Sequence, residues 1–325
     1  MSKNTSLLRA FLISAGARGQ QTQVDSLKHV LVSESKDTIK IILLKKLGGA
    51  YRYANKPGSS VLSYKQAFDI AQSINASAYD RRQILGELRY MLYIVGNFPA
   101  SMKYTFMSLE LCDPEKDTVA LAHAHLVLGM NYAATGNYRT ALDQFFISES
   151  FFQKVEHPRY VLESPVCAIQ LIGETYLKLN KVDSALFYAR QAYTITDTMH
   201  DDYQKNLSMR MFGDIYTAKN DHQNALYYYR KFINGFYSGS YHNGEIGQVY
   251  LSISKLFNEE GRIDSSLYYA KSALDAAKKY QDEEHLLDAA TFLYQLYDKS
   301  GNEHEAFSYY RMAPRQKIVW QALKK

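Results

Sequence analysis

Cysteine is nearly missing from this sequence: Cys112 and Cys167 are the only two in 325 residues. They lie far apart, with no CxxC and no histidine at ligand spacing. That is too few ligands for a disulfide framework or a zinc site, so both read as buried thiols. Long apolar runs are missing too, since no stretch approaches the ~18 residues of a membrane span. Neither sign of charge dominates, with 38 Lys and Arg against 33 Asp and Glu and a net charge of +5. The basic residues are scattered among acids, whereas a nucleic-acid binder gathers them on one face, so no nucleic-acid partner is expected. There is no GxSxG, no P-loop and no dinucleotide-binding glycine pattern behind a strand. HExxH spacing is also lacking, and Glu283-Glu284-His285 and Glu303-His304-Glu305 read as solvated turns. His123 and His125, two apart, point to different sides of a helix, and Met199, Met209 and Met211 read as core filler. No catalytic residue, metal or cofactor is expected.

What the chain does have is tyrosine, 28 copies of it, and a pattern that recurs. Leu128 to Ser148, LGMNYAATGNYRTALDQFFIS, sets out the unit. Gly129 lets a neighbouring helix approach, and Tyr132 fills the space one turn on. Gly136 supplies the positive φ that ends the first helix. Ala141 is small where the second helix crosses, and Phe145 plugs the remaining gap. The glycine slot recurs as Gly48, Arg89, Gly129, Gly173, Gly213, Ser254 and Tyr294, at intervals of 40 to 44 residues. The aromatic slot holds Tyr51, Leu92, Tyr132, Tyr176, Tyr216, Phe257 and Tyr297. Asn55, Gly96, Gly136, Asn180, Asn220, Gly261 and Gly301 occupy the turn slot, and all tolerate a left-handed backbone. The crossing slot holds Ser60, Ser101, Ala141, Ala185, Ala225, Ser266 and Ala306, all small. The second helices that follow, such as ALYYYRKFI, carry apolar or aromatic residues at i, i+3, i+4 and i+7, which reads as a wide buried stripe. Most tyrosines fall at repeat positions and read as filler between helices, with wet hydroxyl ends.

This unit resembles the tetratricopeptide (TPR) repeat, a pair of antiparallel helices. A period near 40 rather than 34 resembles the extended TPR arrays of kinesin light chains, MalT-like regulators and sensor regions of bacterial histidine kinases. The fold expected from the resemblance is an all-α, right-handed α-solenoid of about seven antiparallel helix pairs over residues 39–314. A cap helix and turn over 21–38 precede it, with Ser35 to Thr38 as the turn, and a basic tail or capping helix over 315–325 follows. Residues 1–20 read as a degenerate signal peptide, with Arg9 breaking the apolar run. An exported, periplasmic location follows if that segment acts as a signal, and a cytoplasmic one if it does not. The stretch from Gln20 to Leu27, then Lys36-Asp37-Thr38, also resembles the start of exported sensor kinases, but no phosphoacceptor helix, ATP-binding motif or span follows.

In such arrays the first helix of each pair lines the inner wall, and the resemblance assigns the lining by position. His123 and Met130 belong to the third repeat, Gln170 and Glu174 to the fourth, Arg210 and Asp214 to the fifth, and Gln248, Lys255 and Asn258 to the sixth. Amides there suit a peptide backbone, and Arg210, Lys255 and Asn258 suit a terminal carboxylate. Alternatively, Glu174, Arg210 and Asp214 pair with one another and only shape the wall. The function expected is non-catalytic recognition of a peptide or protein segment by a scaffold or sensory module. Two variants remain open: the sensor part of a two-component system lacking its kinase, and a cytosolic regulator that binds a signalling peptide.

Overall fold

The computed structural model describes residues 22–155, 165–238, 245–280 and 282–312. The proposed signal segment and the basic C-terminal stretch lie outside these. Every regular element among the described residues is a helix. Residues 22–33 form α1. Then come α2 (Asp37–Tyr53), α3 (Pro57–Ser73), α4 (Ala78–Ile94), α5 (Phe98–Glu110) and α6 (Thr118–Ala134). They are followed by α7 (Tyr138–Phe152), α8 (Val166–Lys178), α9 (Val182–Thr198), α10 (Asp202–Ala218) and α11 (His222–Ser238). The series ends with α12 (Glu245–Glu259), α13 (Ile263–Tyr280), α14 (Glu283–Lys299) and α15 over residues 303–312. From α2 onward these fourteen helices follow in the order of seven repeats, two helices to each. The chain divides into two compact units between Gly136 and Asn137. The turn read at Ser35 to Thr38 is shorter than expected, because α2 already begins at Asp37.

The turn slots explain why the chain reverses where it does. All seven adopt positive φ, from 52° at Asn55 to 81° at Gly136. In six repeats the next residue donates its amide to the carbonyl of the aromatic slot, as in Lys181 to Tyr176 (2.8 Å) and Arg262 to Phe257 (2.8 Å). This bond closes the first helix and fixes where the second departs. Side-chain caps start several helices. Ser77, Asn97, Asp201 and Asp282 each accept an amide three residues on.

In the first unit, Ile84, Leu85 and Leu88 are completely buried in the core between α2 and α5. Val24 of α1 packs against Leu47, Ala50 and Tyr51. The crossing slots add polar bonds to the close approach: Ser60 Oγ donates to the Gly48 carbonyl and Ser101 Oγ to that of Arg89, both at 2.8 Å. Arg89, in a glycine slot, is a buried cation. Its guanidinium donates to Ser108 Oγ at 2.9 Å, and burial lowers its pKa to about 10.

In the second unit each pair is tied by stacked rings. Tyr176 lies on Tyr188 (5.5 Å, 18°), Tyr216 on Tyr228 (5.4 Å, 5°) and Tyr297 on Tyr309 (5.7 Å, 7°). Ser254 and Ser266 exchange hydroxyl-to-carbonyl bonds across α12 and α13, at 2.6 and 2.9 Å. At Gly213 the approach is against a buried ring, since a Cβ there would sit 2.4 Å from that of Tyr229.

Glycine to alanine ordinarily stabilises a helix interior by about 0.5–1 kcal/mol. Gly86 in α4 has open space around it and should follow that rule. Gly213→Ala must displace a buried ring and should instead destabilise by about 1–3 kcal/mol. Urea unfolding of both variants checks the opposite signs, and a stabilised Gly213→Ala would refute the close crossing.

Candidate functional site

Three first helices of the second unit converge on one guanidinium. Arg210, on α10, pairs with Glu174 from α8, with Asp214 one turn on in its own helix (3.1 Å), and with Glu245 at the start of α12 (3.7 Å from Nε). Its side chain is 14% exposed, and those of Asp214 and Glu245 are 22% and 30% exposed, so the cluster is sheltered yet open to small groups. Burial works against the Arg210 charge, but the surrounding carboxylates outweigh it and hold its pKa above the usual value. Burial raises the pKa of both Asp214 and Glu245, with Arg210 opposing the shift. Three carboxylates face one arginine; Lys178 adds a weaker positive influence at Asp214, and His285 one at Glu245.

The wall around this cluster is rich in acceptors. Tyr229 Oη donates to Asp214 Oδ1 at 2.7 Å, with Thr217 Oγ1 at 3.2 Å from the same hydroxyl. Burial and the Asp214 charge push the Tyr229 pKa upward, so this hydroxyl keeps its proton. Gln170 Nε2 donates to the Gln204 carbonyl at 3.2 Å, linking α8 to α10. Glu245 Oε2 and Gln204 Oε1 are buried acceptors with no hydrogen-bond donor among the described residues. Arg210 Nε, 3.7 Å from Glu245 Oε2, is a buried donor with no acceptor, and Asn258 Oδ1 is a further unsatisfied acceptor farther along α12. Such atoms ordinarily find a partner.

The pairing of Glu174, Arg210 and Asp214 that the sequence offered as one alternative is therefore formed. Arg210 would have to give up a partner to hold a ligand carboxylate. Lys255 is exposed on α12, while Gln248 and Asn258 are half-buried there. Lys255 lies about 15 Å beyond Glu245 along the helix, outside the cluster. His123 and Met130, half-buried on α6, belong to the first unit. Sequence reasoning missed Glu245 and Gln204, which occupy equivalent slots in the helical turn that the longer period adds. It also missed the Tyr229 hydroxyl, which is buried rather than wet. Both cysteines are free and half-buried, less enclosed than expected, and burial raises the Cys167 pKa to about 11. His285 bonds the N-cap Asp282 through Nδ1 at 2.6 Å. Among the described residues no group of three or more His, Cys, Asp or Glu could hold a metal, and no helix is long and apolar enough to cross a membrane.

No family model and no curated protein matches the sequence. Solved structures do match by shape. The apo form of the quorum sensor NprR from B. thuringiensis shares 12% identity at a TM-score of 0.70, covering 95% of this chain and 85% of that one. The Rap conjugation gene regulator of plasmid pLS20, in complex with the Phr* peptide, shares 14% at 0.58, covering 94% and 97%. A Podosopora anserina kinesin light chain with nearly identical TPR-like repeats shares 14% at 0.50, covering 63% and 98%. The fold is thus that of a TPR-type α-solenoid.

Two outcomes are expected from the site's electrostatics. Arg210→Ala leaves three sheltered carboxylates facing one another and should cost about 3–5 kcal/mol in urea unfolding. Glu245→Gln removes a charge that burial disfavours and should leave stability unchanged or higher; a loss above about 2 kcal/mol would show Glu245 to be an essential partner of Arg210. The Asp282 hydrogen bond raises the His285 pKa, with burial opposing it. A folded-state pKa above the unfolded ~6.5 means the contribution is full below that pH and is lost as pH rises through the folded value. Urea midpoints should therefore fall between about pH 6 and pH 8, and Asp282→Asn, which keeps a cap, should flatten that slope.

Proposed function

We propose that the second unit binds an extended peptide or protein segment without catalysis, and that the segment brings a positive charge to the wall formed by α8, α10 and α12. One observation carries this reading: Arg210 is shared by three carboxylates while Glu245 Oε2 and Gln204 Oε1 still await donors. A lysine, an arginine or a free amino terminus seated there would supply both the charge and the hydrogens. Backbone amides of the segment would satisfy the remaining acceptors, and Asn258 Oδ1, farther along α12, is a further one. The binding role is supported by the shape neighbours, one described as a quorum sensor and one solved with a peptide. A carboxylate ligand for Arg210 is the weaker alternative, because its two terminal nitrogens are engaged by Asp214 and Glu174 and its unbonded Nε faces the Glu245 carboxylate.

Fluorescence anisotropy with basic, neutral and acidic peptide pools tests this. Basic peptides should bind best, and Glu245→Gln should weaken them by roughly tenfold or more. Because burial raises the Asp214 and Glu245 pKa values, affinity should begin to fall on acidification before ordinary surface carboxylates titrate. Equal binding of neutral peptides, or indifference to Glu245→Gln, would sink the reading.

A further inference from the structure

The second helices carry a different surface. Two residues past the crossing slot stand Phe187, Tyr227 and Tyr268, which are 57%, 50% and 67% exposed. Three residues further on, on the same helical face, stand Arg190, Arg230 and Lys271, all exposed. Each exposed ring is braced edge-on by the next tyrosine, at 5.2, 5.1 and 5.2 Å with interplanar angles of 88°, 81° and 87°. Those tyrosines are themselves stacked on the first helices, so the row is built into the packing of each repeat. Charges on α9 and α11 are near enough to be felt across the repeats, Arg190 at Tyr228 and Tyr193 at Lys231. At its centre, α11 contains no Asp or Glu, and no ion pair engages Arg190 or Arg230 among the described residues.

We propose that this aromatic and cationic ridge docks an acidic, extended segment of a partner protein. Pre-braced rings lose little conformational freedom on binding, and Arg190 and Arg230, one repeat apart, call for carboxylates on the partner, whereas Lys271 already lies over the Tyr297 ring. The ridge offers one cation per repeat, so an extended segment with its acids spread along it, not clustered, fits best. Nucleic acid suits the ridge less well. Lys231 Nζ lies over the Tyr227 ring, 5.1 Å from its centroid, and covers a face that a base would need.

The test uses the whole chain and a fluorescein-labelled peptide of four Glu-Ser-Ser repeats at low salt. Saturable binding is expected, weakened about tenfold or more both by Arg190→Glu with Arg230→Glu and by Tyr227→Ala, with circular dichroism unchanged. Glu245→Gln should leave it unaltered, which separates this ridge from the site on α8, α10 and α12. No saturable binding, indifference to either ridge variant, or tighter binding of single-stranded RNA or phosphatidylserine vesicles than of the peptide would overturn the proposal.

Discussion

The crossing of the two helices within a pair is the contact on which everything else in this molecule rests. At that point a small residue in the second helix meets the backbone of the first, and where it is serine the hydroxyl bonds a carbonyl directly, as at Ser60, Ser101 and Ser266. Volume removed from one side is restored from the other. Gly48 and Gly213 face the rings of Tyr64 and Tyr229, whereas Ser254 pairs with a second helix that carries Ala270 at the corresponding place. A core that must be filled this closely tolerates few alternatives. It also fixes the directions in which all other side chains of the two helices project.

That regularity is why the fold was readable in the residues. Glycine and asparagine at the turn slots announce positive φ, and the backbone adopts it at all seven. Small residues at the crossing slots announce close contact. The site was less legible because it depends on what lies between repeats. Glu174, Arg210 and Asp214 were visible as lining, but the choice between mutual pairing and ligand capture needed coordinates. Glu245 escaped because it sits in the turn by which this repeat exceeds the shorter form, where the familiar slots offer no guide. The exposed ridge escaped for a different reason. A run such as Tyr227-Tyr228-Tyr229 satisfies the pattern of a buried stripe, yet consecutive residues on a helix point about 100° apart and cannot all face inward.

The second unit thus presents surfaces of opposite character on its two sets of helices. The first helices gather carboxylates around one arginine in shelter, where charge interactions are strong. The second helices hold cations and ring edges in the open, where each contact is weak and salt-screened and only several together give affinity. Such a division is what the two proposals together require of an array that discriminates between ligands by charge.

Tyr229 joins the two concerns in a single side chain. Its ring occupies the hollow above Gly213, while its hydroxyl holds the carboxylate of Asp214. A phenylalanine would keep the shape and lose the tether; a smaller polar residue would do the reverse. The position is therefore under two independent demands, and any drift in sequence that relaxed one would be felt in the other, so helix packing and the acidic cluster cannot evolve separately at this point in the chain.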